Sequence, residues 1–123
     1  MRHRTEAFAI RIVRLFRALR ASEEGRVLGR QVLRSGTSVA ANYRAACRAR
    51  SKVEFVARLG IAVEEADETV FWLGLLGESQ VLPKKRLQAL LQEAEELRAI
   101  LAVSRKTAKS SITKSPNHEI TKC

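Results

Sequence analysis

The chain is 123 residues long, 46% hydrophobic but only 5% aromatic, which fits one domain with an aliphatic core. No apolar run approaches the roughly 20 residues that span a bilayer, and two cysteines, Cys47 and Cys123, give neither a disulfide framework nor a metal spacing. The formal net charge of +10 selects polyanion partners over cationic ones.

That charge is unevenly spread. Residues 1–50 hold twelve Arg against three Glu, residues 51–100 six basic against nine acidic side chains, and residues 101–123 five basic against one acidic. Every basic residue of the first fifty is arginine, the side chain suited to bidentate phosphate and carboxylate contacts.

In chain order, residues 6–20 read as a first helix, with Thr5 as its N-cap and Phe8, Ile12, Leu15 and Leu19 on a buried face. Arg11 and Arg14 lie off that face. The basic N-terminal stretch lacks a signal-peptide core, so the expected location is cytoplasmic. Ser22, followed by Glu23 and Glu24, opens a second helix to about Arg50. At about 100° per residue, its Arg26, Arg30, Arg34, Arg44 and Arg48 fall within roughly 80° of one another as an arginine stripe. Gly29 and Gly36 weaken this helix intrinsically, which implies close approach of another helix there.

Ser51-Lys52-Val53-Glu54 is a capping box. It starts a third helix, to about Gly77, after a turn too short for anything but antiparallel packing. Glu64, Glu65, Asp67 and Glu68 make this the acidic helix. A pairing of Arg34 with Glu68 across the two helices is expected, with Asn42 as a second buried polar contact. From Val70 to Leu76 the helix is apolar nearly all round, so Phe71, Trp72, Leu75 and Leu76 are expected to form an oligomer interface. Pro83 fits the first turn of a fourth helix carrying Leu87, Leu90, Leu91, Ala94, Leu97 and Leu101. After Lys106 the periodicity stops.

The predicted fold is all-α: an antiparallel up-down-up-down four-helix bundle over residues 1–106, with a disordered C-terminal tail over 107–123. Catalysis is not expected. His3 and His118 lie at the chain ends, Ser35 and Ser38 have no histidine base nearby, and the acidic cluster reads as a solvated or ion-paired face. Neither a metal site nor a cofactor loop is present in the pattern.

The run Arg34-Ser35-Gly36-Thr37-Ser38-Val39-Ala40-Ala41-Asn42-Tyr43-Arg44, with Arg48-Ala49-Arg50-Ser51, Phe55, Leu59-Gly60-Ile61-Ala62 and Glu64-Glu65-Ala66-Asp67-Glu68-Thr69, resembles the signature of the 23S rRNA-intervening-sequence proteins, also known as the S23 ribosomal protein family. Ala45 stands where that family usually has a glutamate. The resemblance implies a four-helix bundle assembled as a homopentamer. It extends to the accessory variability protein of diversity-generating retroelements, which implies binding of nucleic acid and of a reverse transcriptase.

The functional expectation is a non-enzymatic, basic, oligomeric bundle. It binds nucleic acid, RNA rather than DNA, largely without sequence preference, through Arg26, Arg30, Arg44, Arg48 and Arg50, helped by Arg11 and Arg14. The alternative is an interaction scaffold whose stripe serves subunit or partner contacts. Charge reversal separates them, because only the second loses its assembly.

Overall fold

The computed structural model describes residues 1–112. Four helices follow one another, α1 (Arg2–Ala18), α2 (Glu23–Cys47), α3 (Lys52–Glu78) and α4 (Lys84–Ile112), as an antiparallel bundle with no strand among the described residues. The helix termini show why the chain breaks where it does. Ser22 is extended, and its Oγ accepts a hydrogen bond from Gly25 N at 3.0 Å. Ser51 does the same for Glu54 N at 3.1 Å. The Glu54 carboxylate accepts from Arg50 N at 3.2 Å, one residue further back than a standard capping box.

Helix α1 begins earlier than its periodicity suggests. Thr5 is not a cap. It lies inside the helix with 1% exposure, and its hydroxyl donates to Arg2 O at 3.0 Å, which lets a polar side chain be buried without an orphaned donor. Helix α4 ends later than expected, with residues 107–112 still helical. The remainder of the expected tail, residues 113–123, lies outside the described residues.

The core is aliphatic, as the composition requires. Phe8 and Ile12 of α1, Val32 and Val39 of α2, Leu59, Leu73 and Leu76 of α3, and Leu97 and Leu101 of α4 are all essentially inaccessible. Gly29 and Gly36 of α2 have the packing reason inferred for them. A Cβ on Gly29 would meet Phe16 and Leu19, and one on Gly36 would meet Ile12. Within the buried part of the α2–α3 seam the hydroxyls of Ser35 and Thr69 are hydrogen-bonded at 2.9 Å.

Helix α3 closes in a Schellman motif. Val81 N donates to Leu76 O at 3.1 Å and Gln80 N to Gly77 O at 3.2 Å, with Gln80 in the left-handed region at φ 62. A side chain there costs roughly 1 kcal/mol that glycine avoids. Gln80→Gly is therefore expected to stabilise the bundle by about 0.5–1 kcal/mol, read as a higher urea midpoint.

An ion-pair cluster joins helices α1 and α4. Arg4 Nε and Nη2 donate to the two oxygens of Glu93, each at 2.8 Å, and Nη2 also reaches Glu96 at 2.9 Å. The Arg4 hydrogen bonds hold the Glu93 carboxyl below its ordinary pKa, against a smaller opposing push from burial. A carboxyl depressed on folding stabilises the native state fully above its unfolded pKa of about 4.3, and that contribution disappears as pH falls through the folded value. Glu93→Gln should cost about 1 kcal/mol at pH 7. The cost should shrink as pH falls below about 4.3, read as urea midpoints of wild type and variant that converge on acidification.

Candidate nucleic-acid interface

The stripe predicted on α2 exists, but its members have different fates. Arg34, at its middle, is bound across the helix seam. One amino group pairs with Glu65 at 3.1 Å and the other with Glu68, while Trp72 Nε1 donates to the second Glu68 oxygen at 3.3 Å. The Arg34 hydrogen bond pulls the Glu68 carboxyl down, whereas desolvation pushes the more buried Glu65 carboxyl up. Arg34 and Glu68 therefore form the expected register pair, with Glu65 and Trp72 as members that the sequence pattern did not single out. Asn42 is not a cross-helix contact. Its Nδ2 donates to Ser38 O at 2.9 Å, within α2.

Arg26 also drops out of the free stripe, because it pairs with Glu23 one turn back at 2.7 Å. Arg30, Arg44, Arg48 and Arg50 are exposed, and their guanidinium groups make no ion pair or hydrogen bond among the described residues. On α1, Arg14 is exposed, and the charge of Arg11 acts on Glu93 across the α4 seam.

At the end of the bundle where α1 begins and α2 finishes, Arg2, Glu6, Arg44, Cys47 and Arg48 line a cavity of about 220 Å³. Arg11 and Arg14 do not reach it. Arg2 is the residue that the sequence pattern hides. A helix starting at residue 6 leaves it in an irregular leader, whereas the observed start fixes it one turn before Glu6, against α2. Its charge is felt by the neighbouring Tyr43 phenol, whose pKa is raised by burial and opposed by Arg2. Arg50 and Lys52, in the α2–α3 turn and the first turn of α3, share this end. So does the last turn of α4 with Lys109, because Lys52 Nζ donates to Ser111 Oγ. Five of the acids are engaged elsewhere: Glu65, Asp67, Glu68, Glu93 and Glu96 hold arginines along the α2–α3, α3–α4 and α1–α4 seams, while Glu6 and Glu54 remain at this end, outnumbered by its arginines. Helix pairing thus leaves one end of the bundle cationic.

The apolar segment of α3 divides differently from expectation. Leu76 is fully buried and belongs to the core rather than to a surface. Trp72 and Leu75 are half-buried, and Phe71 is 59% exposed, with its ring edge-on to Trp72 at 4.9 Å. Val53 and Ile61 are exposed further along α3. Among the described residues no His, Cys, Asp or Glu group could hold a metal ion, and no helix is long and apolar enough to cross a membrane.

Fold and charge distribution define a small all-α bundle with an arginine-lined end. The chain belongs to the 23S rRNA-intervening sequence protein family, whose model matches residues 1–103. It is similar to a crystal structure from Bacteroides thetaiotaomicron, described as a protein with unknown function from the S23 ribosomal protein family. The two share 34% sequence identity with a TM-score of 0.81, over 85% of this chain and 97% of the other. No curated protein matches the chain.

Proposed function

We propose that this protein is a non-enzymatic, cytoplasmic nucleic-acid-binding bundle that holds RNA by its phosphates, largely without regard to sequence. The observation that carries this reading is the separation of charge. Glu65, Asp67, Glu68, Glu93 and Glu96 of α3 and α4 are engaged by Arg4, Arg34 and Arg98, while Arg2, Arg44, Arg48 and Arg50 gather at one end, their guanidinium groups without a carboxylate partner among the described residues. Guanidinium groups at phosphates release counterions, and that term is indifferent to sequence. Aromatics make up only 5% of the chain, too few to build a base-stacking platform. We further propose that the protein assembles with copies of itself through the outer face of α3. Val53, Ile61 and Phe71 are 58%, 39% and 59% exposed there, apolar side chains that a second copy would cover. The pentamer implied by the family resemblance is the expected state.

The test is paired, with labelled single-stranded RNA in fluorescence anisotropy and light scattering on the same Arg44→Glu/Arg48→Glu variant. This reading expects RNA affinity to fall while the assembled mass stays that of wild type. Retained RNA affinity with a reduced mass would overturn it in favour of a scaffold whose arginines hold subunits together.

A further inference from the structure

A groove of about 420 Å³ opens where α3 ends and α4 begins, the end of the bundle remote from Cys47 and Lys109. We infer that it receives the Phe71 ring of a second copy of this chain, so that copies join ring to groove. The inference rests on the assembly reading above and goes further by naming the surface that the exposed face of α3 meets.

Leu73 of α3 with Leu87 and Leu91 of α4 gives the groove an aliphatic lining, and Gly74 and Gly77 stand on its α3 side. The glycines separate what the single chain needs from what it leaves open. A Cβ on Gly77 would stand 3.2 Å from Lys84 Cγ and 3.6 Å from Leu87 Cδ1, and Gly25, Gly29, Gly36 and Gly60 likewise have neighbours within 4 Å. Gly74 has none among the described residues, so no contact there accounts for a residue that weakens a helix interior. A flat ring from outside can lie against its bare backbone. The same helix presents such a ring one turn earlier. Phe71 is exposed, yet its ring is already held edge-on to Trp72 at 4.9 Å, which lowers the entropy lost when it docks.

Charge points to another copy as the occupant. On the α4 side the rim is cationic: Lys84, Lys85 and Arg86 fill the first turn with no acid among them, the unfavourable sign for a helix N-terminus. Lys84 pairs with Glu78 at 2.9 Å, while the side chains of Lys85 and Arg86 have no carboxylate partner among the described residues. Around Phe71 the sign is reversed. Glu64 and Glu78 lie about two turns before and two turns after it on the same face of α3, and no basic residue occurs between them. A neighbour's α3 laid along the groove in either direction therefore carries a carboxylate about 10 Å from the ring toward the start of α4, which is also the span from Leu91 to Lys84 at 1.5 Å per residue. Ring and groove are complementary in shape and in sign, and one chain carries both.

The experiment is a complementation read by light scattering on the full chain, at a concentration where wild type is assembled. Phe71→Gln removes the ring. Gly74→Gln blocks the groove, where a single methyl would leave most of the volume open, and it places a better helix former in unoccupied space. Each variant alone should associate about thirtyfold more weakly, the loss typical of an aromatic anchor at an interface. An equimolar mixture should be heavier than either variant alone, because the ring of one still finds the groove of the other. That recovery also requires both chains to be folded. Loss confined to one variant, or loss in both with no recovery on mixing, would overturn the inference and leave assembly through α3 standing. Wild-type mass in both variants would overturn it as well, and a wild type that runs as a single chain would overturn the assembly reading with it.

Discussion

Gly36→Val is expected to destabilise the bundle by about 3 kcal/mol, the largest effect we anticipate from a single residue outside the aliphatic core. A Cβ at this position would stand 2.7 Å from Ile12 Cγ1, 2.9 Å from Cγ2 and 3.1 Å from Cδ1. Ile12 is inaccessible to solvent and β-branched, so it has no low-energy rotamer that withdraws both branches at once. The variant gains helix propensity, but that gain is under about 1 kcal/mol, and the clash outweighs it. Gly74→Ala is the matched control. It sits inside α3, and nothing lies within 4 Å of the added carbon, so propensity acts alone and stability should rise by about 0.5–1 kcal/mol. Thermal melts would show the first as a drop of about 10 °C or more, at about 4 °C per kcal/mol. An unchanged or raised melting temperature for Gly36→Val would mean that α1 does not seat on α2 through Ile12.

The second large effect concerns binding. Arg44→Glu/Arg48→Glu should weaken affinity for single-stranded RNA about a hundredfold at about 100 mM salt. Each guanidinium–phosphate pair removed is taken as about 1 kcal/mol after discounting for exposure, and each new carboxylate adds repulsion. The salt slope should become shallower by about 1.4, at about 0.7 per phosphate no longer neutralised on a single strand. Arg26→Glu separates the structural account from the sequence pattern. Arg26 lies on the same stripe, but Glu23 already neutralises it at 2.7 Å, so its reversal should change affinity by no more than about threefold. Equal losses from both variants would show that the whole stripe, not the end of the bundle, meets the RNA.

The difference between Arg26 and Arg44 shows what the sequence could reveal. Features written within one or two turns were legible. Ser22 and Ser51 cap the helices that their spacing announces, and the short α2–α3 turn fixes the antiparallel register that brings Arg34 to Glu68. The start of α1 was not legible, since Arg2 to Thr5 lack any side-chain cap signal, and the buried Thr5 looks like a cap. Gly77 looked like the terminator of α3, yet the left-handed residue is Gln80. Where α3 is apolar on every side, period alone has no face to choose, which is why Leu76 was placed outside when it belongs within. The extension of α4 to Ile112 has no apolar period to announce it, although Ser111 there accepts a hydrogen bond from Lys52. The cavity was beyond reach for the same reason: Arg2 and Arg44 are far apart in sequence, and only packing brings them together.

In the proposed function, phosphates hold the nucleic acid to the arginines at one end of the bundle whose guanidinium groups have no carboxylate partner among the described residues. This reading is tested most directly by titrating wild-type, nuclease-treated protein with one single-stranded RNA across a series of salt concentrations. Arg2, Arg44 and Arg48 acting together predict that log K falls against log salt with a slope of about −2 or steeper, at about 0.7 per neutralised phosphate. An affinity that stays flat across the series, or no measurable binding at the lowest salt, would contradict it.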